Sequence, residues 1–121
     1  MSTAEDMARE IVKGSLDDIL NGNAKALVEA SEQLGRALAK EGMEASQIRK
    51  IFSEVKAMTE YDEYRLNLLL PRLAYAAGRH KAVRPLETVV SAAIGRIDGP
   101  RRFRHFKDFF EAIVAYHRRW S

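Results

Sequence analysis

The stretch PRRFRHFKDFFEAIVAYHRRW, Pro100–Trp120, decides the fold class. Its apolar residues Phe103, Phe106, Phe110, Ile113, Val114 and His117 recur at helical spacing and gather on one broad face. Proline opens it, where a missing N–H costs little because the first turn of a helix leaves its N–H groups unpaired anyway. Working backwards, Asp98-Gly99 reads as a tight turn, and Pro85 opens a preceding helix that runs to about Ile97. The segment before that, Tyr61–Arg79, buries Leu66, Leu69, Leu70, Leu73 and Ala77 at the same period. Pro71 lies inside it, so it is either one kinked helix or two short ones, with Gly78 near its stop. Ser46 is the expected N-cap of a helix carrying Ile48, Ile51, Phe52, Val55 and Met58. Upstream, one helix spans Ala24–Lys40, buries Leu27, Leu34 and Leu38, and stops at Gly42. A first helix spans Ala4–Leu20 and ends near Asn21-Gly22-Asn23. Nowhere does strict apolar and polar alternation persist long enough for a strand. The expectation is all-α: a compact bundle of five to six helices forming a single domain over 1–121.

The composition suits that reading. A chain of 121 residues with 46% hydrophobic side chains is long enough for one core and too short for two ordinary domains. It has no cysteine, which excludes disulfides, thiolate metal sites and cysteine nucleophiles. The start, Met1 to Asp6, is polar and acidic, unlike a signal peptide, and no apolar run approaches the roughly 20 residues of a membrane span. A cytoplasmic location is expected.

Charge is unevenly spread. Residues 1–60 carry 8 Lys and Arg against 11 Asp and Glu (net −3), whereas residues 61–121 carry 12 against 6 (net +6). In the basic half 10 of the 12 cations are arginine, whose planar fork suits bidentate phosphate contact. Arg65, Arg72 and Arg79 stand seven residues apart, a spacing that puts them near one line of an uninterrupted helix. A kink at Pro71 would swing Arg65 away from the other two. Arg49 and Lys56 share the outer face of the helix before, and Arg104, Lys107 and Arg118 lie together beside the apolar face of the last. With the run Arg101-Arg102-x-Arg104, these make a surface for a phosphate backbone.

No catalytic set emerges. His80, His105 and His117 have no spacing that would pair two of them as metal ligands on one helical face, and His117 is expected to be a packed, hydrogen-bonded side chain or an RNA contact rather than a general base. Asp17-Asp18 and Asp62-Glu63 are adjacent, so each pair diverges around its helix. There is no nucleophile elbow, phosphate-binding loop or dinucleotide fingerprint. Neither metal nor cofactor is expected, and the protein is expected not to be an enzyme. The aromatic residues of the last helix are expected in the core, except that Phe109 and Trp120 fall at one margin and are candidates for a protein contact.

Three blocks carry a resemblance: Ser46-Gln47-Ile48-Arg49; Leu68 to Arg79, LLLPRLAYAAGR; and Phe103 to Arg118, FRHFKDFFEAIVAYHR. In this order they resemble the small subunit of the type III-A CRISPR effector, the Csm complex. Residues 1–43 carry none of the resemblance. Where that family has lysine after the proline and after the histidine, this chain has Arg72 and Arg118, which keeps the charge. The resemblance implies a non-catalytic helical protein of antiviral defence. It implies copies that stack head to tail, alongside the other Csm subunits, and flank the CRISPR RNA and its target RNA. It also implies a basic face on the RNA backbone, for which the candidates here are Arg49, Lys50, Lys56, Arg65, Arg72, Arg79, Arg104 and Arg118. Gln47 and Tyr75 are candidates for added hydrogen bonds or, equally, for helix-start or packing roles. The alternative is a structural helical adaptor that binds protein neighbours without touching RNA.

Overall fold

A computed structural model describes residues 3–121. Among them are eight α-helices, α1 (Ala4–Gly14), α2 (Leu16–Leu20), α3 (Ala24–Lys40), α4 (Ala45–Lys56), α5 (Glu63–Asn67), α6 (Leu69–Arg79), α7 (Arg84–Arg96) and α8 (Pro100–Trp120), and no strand. A single 3-10 turn, Lys81–Val83, joins α6 to α7. The class is as expected and the helix count is higher: the expected first helix is divided, and the segment 61–79 takes the two-helix alternative.

The first division is at Ser15. The chain turns there so that Leu16, Ile19 and Leu20, all fully buried, reach the core from a five-residue α2 that a straight continuation of α1 would not allow. The second is at Leu68, between α5 and α6. Pro71 then sits in the first turn of α6, where its missing N–H leaves no gap in the ladder, so the proline starts a helix and kinks none. Ser46 is not the cap of α4. The helix begins at Ala45, two residues before the start a Ser46 cap implies, with Glu44 as N-cap and its N–H donating to Gln47 Oε1 at 2.9 Å. Met58 lies beyond the end of α4 and is buried in the turn that follows.

The core is organised around α8, which at 21 residues is about 31 Å long. Phe103, Phe106, Phe109, Phe110 and Ile113 are all buried along it. Phe109 is thus a core residue, not the marginal contact residue expected. Its neighbour Phe110 packs on Phe52 of α4 with ring centroids 5.2 Å apart. Helices α3 and α8 run side by side in the same direction. His105 meets the turn at Gly22, and further along Tyr116 and His117 meet Gly35. At Gly35 the backbones come so close that a Cβ would lie 2.8 Å from the His117 nitrogen and 2.8 Å from Tyr116 Cβ. His117 is fully buried, and its Nε2–H donates to the Met43 carbonyl at 2.6 Å, which fixes the end of α8 against the turn after α3. No helix is long and apolar enough to cross a membrane among the described residues.

Candidate nucleic-acid interface

Helices α4 and α6 pack with their outer edges apart, leaving an open groove of about 700 Å³ between them. From α4 come Gln47, Lys50, Ile51 and Glu54, one turn apart, and from α6 come Leu69, Pro71, Arg72, Tyr75, Ala76 and Arg79. The floor is apolar and the rim is charged. Arg72 and Arg79, seven residues apart, fall on one line of α6, as their spacing requires. Arg72 Nη1 pairs with Glu54 Oε1 across the groove, both side chains staying about half exposed. A pair so wet contributes roughly 0–1 kcal/mol and exchanges readily. Arg79 Nη1 donates to Tyr75 Oη at 3.1 Å, one turn away, and its guanidinium stands 5.8 Å from the centre of the Tyr75 ring.

The remaining candidates divide. Lys50 joins Arg72 and Arg79 in the groove. Arg49 does not: it is one residue further round α4, and it lines a smaller cleft of about 310 Å³ with Arg118, Glu111 and Val114 against α8. Lys56 is exposed at the end of α4 on the same line as Arg49, outside the groove. Arg65 is exposed on α5, separated from Arg72 by the break at Leu68, so the expected three-arginine row is a two-arginine row. Arg104 lines a third cleft, with Tyr61 and Lys107, and Lys107 Nζ donates to the Met58 carbonyl at 2.5 Å.

Two arginines of the expected basic run serve the fold. Arg101 Nη2 donates to the Asn21 carbonyl at 3.1 Å; Arg102 donates to Asn21 Oδ1 at 3.0 Å and to the Arg96 carbonyl at 2.9 Å. They close the C-terminal ends of α2 and α7, whose last carbonyls lack intrahelical donors. Arg96 in turn pairs with Asp17 at 3.2 Å. Sequence reasoning missed Glu54, whose role depends on a partner 18 positions away on another helix. The Tyr75–Arg79 contact, by contrast, is legible as an i, i+4 pair.

The charges of the groove leave a mark on Tyr75. Its phenol is held below the ordinary value of 10.0, chiefly because Arg79 donates to the oxygen and favours phenolate, with Lys50 adding to the effect. Tyr61 is pushed above 10.0 by burial and by the carboxylates of Glu63 and Asp98. An alkaline titration followed by phenolate absorbance should therefore show Tyr75 ionising early and Tyr61 late. Tyr75→Phe should delete the early step, and Arg79→Ala should move it back toward the ordinary value. The folded chain releases the Tyr75 proton before the unfolded chain does, so this group adds stability as pH climbs from its lowered value to 10.0. Tyr61 withdraws stability between 10.0 and its raised value.

The described face is carried by a segment with a family signature. The family model Csm2 Type III-A matches residues 21–121. The chain belongs to that family. It is therefore a small subunit of the type III-A CRISPR complex by descent, and association with other Csm subunits follows from membership. The Csm2 match reaches beyond the three blocks read in the sequence, since it takes in 21–43 and hence the whole of α3. That extension has a physical basis: α3 is the helix that lies along α8, and its Gly35 sets the distance between them. Comparison with curated proteins and with solved structures finds no match.

Proposed function

We propose that this Csm2-family chain is a non-catalytic, cytoplasmic subunit that stacks in several copies within a type III-A interference ribonucleoprotein and holds the guide–target RNA by its backbone. The α4–α6 groove is the contact surface. The observation that carries this reading is the convergence of Lys50, Arg72 and Arg79 on one open groove within the family-matched span. Arg49 and Arg118 extend the surface on the far side of α4, and Lys56, Arg65 and Arg104 contribute at its edges. A subunit that must accept any target reads phosphates and sugars, which carry no sequence information directly. It meets an A-form duplex through shape and backbone.

The test is binding of the full chain to guide–target RNA duplexes of unrelated sequence at several salt concentrations. Expected are dissociation constants that agree within about threefold between sequences, and a linear fall of log affinity with log salt. A structural adaptor that touches only protein predicts copurification with the other Csm subunits but no salt-dependent RNA binding, and that result overturns the RNA-contact reading.

A further inference from the structure

The groove holds more apolar surface than a phosphate backbone can use. Ile51, Leu69, Pro71 and Ala76 form its floor and walls, yet phosphates are met by donors and cations alone. Above this floor stands Tyr75, an aromatic ring 67% exposed to solvent. The ring has a defined pose, because Arg79 both donates to its oxygen at 3.1 Å and lies near its face. Among the described residues neither Lys50 nor Arg79 has a carboxylate within 4.0 Å, so the rim keeps two free cations while Glu54 answers Arg72. An apolar slot beside an exposed aromatic ring, bordered by cations without a carboxylate partner, fits a flat apolar body that carries negative charge.

Resting on the RNA-contact reading above, we infer that the α4–α6 groove receives one unpaired nucleobase of the bound RNA, stacked on Tyr75, with its flanking phosphates on Lys50 and Arg79. Stacking keeps the sequence tolerance that the backbone contacts require, since every base has a π-face. The groove's volume of about 700 Å³ lies within the range of sites that enclose small ligands. An acidic peptide without aromatic residues satisfies the cations and leaves the exposed ring without an aromatic stacking partner.

The experiment uses the full chain and two RNA duplexes that differ at one position: a single bulged nucleotide, or an abasic ribose at the same bulge with every phosphate kept. The bulged duplex should bind roughly 5- to 150-fold more tightly, the range that stacking of one base supplies. Tyr75→Ala should abolish that difference without changing the salt slope, because it removes no phosphate contact, and Tyr75→Phe should keep most of it. Tyr75 is exposed, so these variants should retain wild-type helix content by circular dichroism. Equal affinity for both duplexes, with the salt slope intact, overturns the base-binding inference and leaves the backbone contact standing. Absence of binding to either overturns both.

Discussion

Replacing Gly35 with valine should cost about 3 kcal/mol of folding stability, a large share of the roughly 5–15 kcal/mol that holds a domain together. Three atoms around that glycine lie within 3.0 Å of the position a Cβ would take: the His117 nitrogen, Tyr116 Cβ and the Ile113 carbonyl oxygen. Two of them are backbone, so no side chain can swing aside. The helices must separate, and separation unpacks the buried faces of α3 and α8. Alanine at the same position should lose less, about 1 kcal/mol, because its better helix propensity offsets part of the clash. Gly95 supplies the contrast. It is exposed within α7 with nothing within 4 Å of its hypothetical Cβ, and Gly95→Ala should stabilise by about 0.5–1 kcal/mol. Urea denaturation midpoints at constant m-value measure all three. A Gly35→Val chain as stable as wild type would mean that α3 and α8 do not approach as described.

The second large effect is on RNA. Replacing Arg72 and Arg79 together with alanine should weaken duplex binding by roughly 30- to 150-fold, at about 1–1.5 kcal/mol net for each arginine removed. It should also flatten the salt slope by about 1.8, near 0.9 for each phosphate released. Both arginines are exposed, so helix content should not change. The variant alone would not separate RNA contact from some other duty of these cations. Glu54→Gln does, because it acts in the opposite direction. A phosphate reaching Arg72 must displace the Glu54 carboxylate, so removing that charge should raise affinity about twofold to fivefold while every arginine stays in place. Unchanged affinity in both variants would remove the groove from the RNA surface.

How far the chain could be read from its residues differs between helices and site. The bounds of α3 and α8 coincide with the sequence reading, since long periodic segments with a proline or an asparagine at the start leave little choice of frame. The break at Ser15 has no local signal, and the one at Leu68 is legible only as an alternative, through Pro71. Neither α2 nor α5 has more than five residues, too few to show a period, and the demand to bury Leu16, Ile19 and Leu20 comes from the rest of the bundle. At the candidate site the seven-residue step from Arg72 to Arg79 was visible. The membership of Lys50 and the exclusion of Arg49 depend on how α4 is rotated against α6, and its own sequence offers basic residues to both sides. Charge counting also overstated the surface. Arg101 and Arg102 are committed to the Asn21 and Arg96 carbonyls, acceptors that only the folded chain brings within reach.

The parallel pairing of α3 with α8 has a consequence for synthesis on the ribosome. The two helices that share the Gly35 contact are separated by four others, and the hydrogen bond from His117 to Met43 closes a loop of 74 residues. Through most of translation α3 therefore has only α1 and α2 to pack on, and the side that meets α8 stays uncovered. At about 5–20 residues per second, the 21 residues of α8 alone take roughly 1–4 s to follow. Until they do, the α8-facing side of α3 has no partner, and the net charge of −3 on residues 1–60 is what opposes association of the unfinished chain.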